Sequence, residues 1–154
     1  TVVSVGVFSG CGKGDVKALV AKYPRKRIAT LGDLINGEPI DIQFPSEGAY
    51  SAAFLVKLGE KASGAVGPHN DIVAFSSLCS HMGGPMMGQY KDKHKVIGPC
   101  PFHLTTFDLT RHGMVVAGHA TESLPQIVLE VEGQDVYATG VMGLIYGTAD
   151  SHNA

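Results

Sequence analysis

A chain of 154 residues is one domain of ordinary size, large enough to bury a core. With 20 glycines and 17% charged residues it lacks the Lys- and Glu-rich faces of a helical bundle and reads as a turn-rich, all-β domain. A formal charge of −2 excludes the basic face that a nucleic-acid partner requires, and three cysteines, an odd number, exclude a complete disulfide framework.

Residues 1–14 interleave Val2, Val3, Val5, Val7 and Phe8 with small residues and end in Ser9-Gly10-Cys11. This pattern is expected to be an export-signal remnant, similar to the cleavage box of a bacterial lipoprotein with Cys11 as the lipid-bearing residue. The alternative is a short edge strand with a buried thiol. The run falls short of the ~20 apolar residues that span a bilayer, so membrane contact is expected only through this segment.

Residues 15–23 place Val16, Leu19, Val20 and Tyr23 at helical spacing, between an Asp15 N-cap and a Pro24 stop. Residues 1–24 are thus set apart from a domain at 25–150. Arg25-Lys26-Arg27 is expected to be a solvated turn. From Ile40 the period changes to two, which predicts strands at 40–44, 53–58 and 72–75, with a Gly-rich loop at 60–70. Further strands are expected at 114–117, 127–131 and 135–139. Glu132-Gly133-Gln134 joins the last two as a hairpin, and a final strand is expected at 141–146.

The chemistry-bearing residues lie between these strands. Cys79-Ser-His81 forms one box and Cys100-Pro-Phe-His103 a second, with residues 82–99 between them. Lys91-Asp-Lys-His-Lys95 reads as the polar tip of a hairpin joining the boxes, with Val96-Ile97 returning. Two soft thiolates and two imidazoles fit a tetrahedral zinc site. They equally fit a [2Fe–2S] cluster in which two histidines replace two cysteines on one iron. Gly83 and Gly84 permit tight turns and close approach of backbone N–H groups to such a centre.

At these boxes the chain resembles the Rieske proteins. The residues after the second box continue the likeness: Thr105-Thr106-Phe107-Asp108, then Gly113 and Gly118, then Leu124-Pro125. From Ile40 onward the chain is similar to the small subunit of bacterial arsenite oxidase. That likeness rests on Asp41-Ile-Gln-Phe-Pro45, Val56-Lys-Leu-Gly59, Leu78-Cys-Ser-His-Met-Gly83 and His119-Ala-Thr-Glu-Ser-Leu-Pro-Gln126. The resemblance implies an antiparallel β-sandwich or barrel base with a small cluster-binding subdomain inserted at about 76–108. It implies a [2Fe–2S] cofactor held by Cys79 and Cys100 on the inner iron and by His81 and His103 on the outer one. The expected function is electron transfer within a periplasmic arsenite oxidase. A molybdopterin-containing large subunit would supply the electrons, and a soluble cytochrome c or small copper protein would accept them.

The chain departs from the respiratory Rieske pattern at positions that the resemblance makes informative. Gly84 and Phe102 stand where those proteins join a disulfide across the cluster. They are therefore expected to face each other, close enough that paired cysteines would bond with the cluster intact. Thr105 and Phe107 stand where a Ser and a Tyr hydroxyl approach the cluster sulfurs, so Phe107 removes one donor and the potential is expected to be lower. His119 falls in the loop that covers the cluster. Two other functions fit parts of the pattern: a free-standing Rieske ferredoxin of a ring-hydroxylating dioxygenase, and a structural zinc-binding interaction domain.

Overall fold

A computed structural model describes residues 22–149. The expected export remnant, Cys11 and nearly all of the expected helix at 15–23 lie outside the described residues. Among the described residues, ten strands form two antiparallel sheets. The base sheet holds six strands in the order β1-β10-β9-β4-β3-β2: β1 (Lys26–Thr30), β2 (Ile40–Gln43), β3 (Ala52–Lys57), β4 (Ile72–Ser76), β9 (Gln126–Glu132) and β10 (Asp135–Met142). The second sheet has the order β5-β6-β7-β8: β5 (Tyr90–Lys91), β6 (Val96–Ile97), β7 (Thr106–Asp108) and β8 (Met114–Ala117). It is inserted in the chain between β4 and β9 and reaches Ala117, so the insertion runs past Asp108. Among the described residues no helix is long and apolar enough to cross a membrane.

The apolar runs in β3 and β4 have a clear physical cause. Side chains alternate faces along a strand. Ala53 and Leu55 of β3 join Ile72 and Ala74 of β4 in the base core, with Phe44, Ile127, Leu129, Val136 and Ala138. Their neighbours Phe54, Val56, Val73 and Phe75 point the other way, into a second core with Met86, Ile97, Phe107, Leu109 and Leu124. Both faces of the pair are covered, so neither strand carries the polar alternation of a half-buried one. Cys79 and Cys100 belong to the second core.

Two expectations are corrected. Arg25-Lys26-Arg27 is not a solvated turn: Lys26 opens β1, which pairs with β10. Arg25 bonds Glu130 and Glu132 and lies over the Tyr137 ring, and Arg27 bonds Asp135. These cross-strand partners let a charged stretch form an edge strand. There is also no separate strand at 141–146. After a register shift between Ala138 and Gly140, β10 continues through Val141 and Met142 and then ends. The rest forms a strap in which buried Ile145 accepts hydrogen bonds from the Thr148 backbone N–H and hydroxyl.

Candidate metal centre

The two boxes fold into turns of the same construction. In the first, the Cys79 N–H donates to the Gly84 carbonyl at 2.9 Å and the Gly83 N–H donates to the Cys79 carbonyl at 2.8 Å. In the second, the Cys100 N–H donates to the Thr105 carbonyl at 2.8 Å and the Leu104 N–H donates to the Cys100 carbonyl at 2.9 Å. The fourth residue after each cysteine is left-handed, Gly83 at φ +68° and Leu104 at φ +63°. The fully buried β4 leads into the first turn, and β7 leads out of the second.

The turns bring like donors together. Cys79 and Cys100 are buried, and their side chains lie within hydrogen-bonding reach of each other. Burial pushes the Cys79 thiol above its ordinary value. The His81 N–H, aimed at the sulfur, opposes that rise; Cys100 adds to it, and the Met82 N–H also opposes it. The His81 and His103 rings meet edge to face, with centroids 4.7 Å apart. His81 Nδ1 is buried with no hydrogen-bond partner. An orphaned ring nitrogen beside two buried thiols is costly as it stands and fits a group that takes a nitrogen lone pair and displaces thiol protons.

A pair of sulfurs and a pair of imidazoles, each pair drawn together, is the donor set of a binuclear centre in which each iron takes two protein ligands.

The surrounding residues fall as follows. His119 joins the histidine pair, its ring stacked 6.0 Å from His81 and lying 6.3 Å from His103. Thr105 is buried, and its hydroxyl oxygen accepts the His119 N–H at 3.1 Å and the Ala120 N–H at 3.2 Å. It therefore ties the covering loop to the second turn, and its own O–H proton remains to donate. Gly118 fits because a Cβ there would lie 2.6 Å from the Thr105 nitrogen. Phe107 is fully buried in the same core as both cysteines.

Gly84 does face Phe102: a Cβ on Gly84 would lie 3.1 Å from the Phe102 ring. The same Cβ would lie 2.5 Å from Cys100 Sγ, so the expectation that a cysteine fits here without disturbing the centre is corrected. Phe102 is 57% exposed, and with Met82 and Leu104, which also flank the histidines in the chain, it leaves apolar surface beside them. Two features escaped sequence reading. Leu104 carries no glycine signal for its left-handed backbone, and Tyr146, expected in a strand, lies against Gly83.

The chain matches the Rieske [2Fe-2S] domain family over residues 38–128. It belongs to that family. It is 56% identical to iodate reductase subunit IdrB of Denitromonas iodatirespirans over 146 residues, 95% of this chain and 78% of that protein. It is 59% identical to the subunit of the same name from Pseudomonas sp. (strain SCT) over 132 residues, 86% of this chain and 68% of that protein. The soluble domain of Rieske protein II (soxF) from Sulfolobus acidocaldarius shares the fold, with a TM-score of 0.72, 21% identity and 83% of each chain covered. The ferredoxin of carbazole 1,9a-dioxygenase from Nocardioides aromaticivorans IC177 superposes with a TM-score of 0.53 at 22% identity, covering 74% of this chain and 95% of that one. The all-β Rieske fold and the [2Fe–2S] cofactor stand with the family, and the zinc reading falls.

Proposed function

We propose that this chain is the Rieske electron-transfer subunit of an oxidoreductase complex of the iodate reductase type, related to the arsenite oxidases, with a molybdopterin-containing large subunit as its partner. Identity of 56% across 95% of the chain to an iodate reductase subunit carries the reading. In this assignment Cys79 and Cys100 hold the inner iron, and His81 and His103 hold the outer one. When bound, the cluster supplies a one-electron couple. The chain's residues do the rest. The two turns fix the donors, the shared core keeps water from the sulfurs, and His81 and His103 stand toward the surface. The exposed side chains of Met82, Phe102 and Leu104 surround that exit.

The direction of flow follows the partner's chemistry. In a reductase, electrons enter from a soluble cytochrome c or small copper protein and leave toward the large subunit. In an arsenite oxidase they run the other way. A periplasmic site fits both readings and is supported by the Val-rich start that closes on Ser9-Gly10-Cys11.

The test uses the purified complex. Mixing it with iodate after chemical reduction should abolish the electron paramagnetic resonance of the reduced cluster. Mixing the oxidised complex with arsenite should leave it silent. An iodate-inert cluster that arsenite reduces would overturn the iodate assignment in favour of an arsenite oxidase. A chain purified free of any large subunit would overturn both.

A further inference from the structure

The strap after β10 carries a contact that no ligand pattern indicates. Gly83 sits in the first turn at φ +68°, and the Tyr146 ring lies directly on it. A Cβ at Gly83 would overlap Tyr146 Cδ1 and Cε1 and stand 3.2 Å from Cγ. The strap is held on either side. Ile145 is buried, and a Cβ at Gly147 would fall 2.5 Å from the Tyr50 ring. Gly143 lies against Pro125, where a Cβ would stand 3.5 Å from the proline Cα. Tyr146 itself is 38% exposed, so the ring caps the turn and is not part of either core.

The second turn has a different support. There Thr105 receives two N–H bonds from the covering loop. The first turn is tied from outside by the Ser80 hydroxyl, which donates to the Glu122 carbonyl at 2.8 Å, and by the Tyr146 ring. No disulfide spans the turns: among the described residues Cys79 and Cys100 are free thiols.

We propose that Tyr146 is a positioning residue for the first ligand turn, a non-covalent clamp that presses on Gly83 and so fixes the His81 and Met82 N–H groups against Cys79 Sγ. The inference rests on Cys79 and His81 as cluster ligands. Backbone N–H bonds to a ligand sulfur favour the more negative, reduced form of the centre. Removing the ring loosens the turn, weakens those bonds and disfavours reduction.

The experiment measures the midpoint potential and the reduced-state paramagnetic spectrum of the full chain in its complex. Tyr146→Ala should lower the potential, broaden the spectrum and speed cluster loss on warming. Tyr146→Phe should keep wild-type values, because the ring and not the hydroxyl makes the contact. If Tyr146→Ala assembles poorly, Tyr146→Leu should give the same downward shift at smaller amplitude. Gly83→Ala should lower the potential, and its effect should shrink in the Tyr146→Ala background, where the obstructing ring is gone. Wild-type potential and line shape in Tyr146→Ala overturns the proposal, as does a full shift in Tyr146→Phe. A wild-type chain without a Rieske spectrum overturns the ligand assignment instead, so the two failures are distinguishable.

Discussion

Gly83 and Leu104 are structural equivalents: each is the fourth residue after the cysteine of its box, each is left-handed, and each donates its N–H to that cysteine's carbonyl. The boxes differ in histidine spacing, yet the backbone closes the same turn in both. Only glycine takes this conformation without cost, and a non-glycine residue there is strained by about 1 kcal/mol or more. Leu104 bears that strain with a side chain that is 65% exposed and packs little. Leu104→Gly should therefore keep the cluster and raise unfolding stability by about 1 kcal/mol. The reverse change, Gly83→Leu, should abolish cluster binding, because the branched side chain beyond its Cβ adds to an overlap with Tyr146 that a single methyl already makes. Denaturant unfolding and the visible spectrum of both variants check the asymmetry; equal tolerance at the two sites would contradict it.

The four proposed ligands, Cys79, His81, Cys100 and His103, should be individually indispensable. His81→Ser and Cys100→Ser should each eliminate the Rieske-type resonance while the base sheet still folds, since the base core contains neither residue. Circular dichroism reports the sheet and paramagnetic resonance the centre. A variant keeping the wild-type resonance would remove that residue from the ligand set.

Thr105→Val keeps shape and deletes the acceptor of two N–H groups. Leaving the buried Ala120 donor unpaired costs about 1–3 kcal/mol, while the exposed His119 N–H can turn to water, so destabilisation by ~1–3 kcal/mol is expected. Thr105→Ser should recover most of it. Hydrogen exchange at His119 and Ala120 localises the effect; unchanged protection of those amides in the valine variant would show that the covering loop is held by something else.

The double variant Gly84→Cys/Phe102→Cys tests the contact between the turns. The two positions face each other, but the new Cβ at 84 would lie 2.5 Å from Cys100 Sγ. The bridge should therefore form only with loss or distortion of the centre. Mass spectrometry counts the disulfide and absorbance the cluster. A bridged protein with an unaltered spectrum would mean that the turns yield more readily than their packing implies.

Tyr90 offers a test of pH dependence. Burial pushes its phenol above the ordinary value, and the hydrogen bond it donates to Asp92 pushes it further. Asp92 is held low, first by Lys95 and then by Tyr90. A raised acid is neutral in the folded chain at pH values where the unfolded chain has ionised. The stability it contributes is complete below about pH 10 and is lost as pH climbs beyond that. The Asp92 contribution has the opposite sense: present above about pH 4 and lost as pH falls below it. A phenolate absorbance titration should show one tyrosine ionising late, together with alkaline unfolding. Tyr90→Phe should remove that component; its persistence would reassign it.

What the sequence disclosed divides along range. The Cys-x-His and Cys-x-x-His boxes are local, as are the hairpin at 132–134 and the period-two runs, and all were legible. The pairing of β1 was not, because the partners of Arg25 and Arg27 lie more than a hundred residues away at Glu130, Glu132 and Asp135. Apolar composition at 141–146 suggested a strand, but Ile145 is a plug and Tyr146 a cap, roles set by tertiary packing. The place of His119 beside His81 was signalled only by family resemblance. The left-handed Leu104 had no signal at all, since turns are read from glycine and asparagine.

The two-faced packing of β3 and β4 bears on how fast such a protein can work. Electron transfer is slowed when surrounding atoms must move to accommodate a new charge. Cys79 and Cys100 are embedded in the layer that Phe54, Val56, Val73 and Phe75 build, and the far side of those strands is clamped by a second layer. Close-packed interiors have low compressibility. On the cysteine side, a change of charge at the centre therefore meets a stiff wall. Rearrangement is thereby confined to the histidine side, where His103 is exposed and a docked redox partner would displace the solvent.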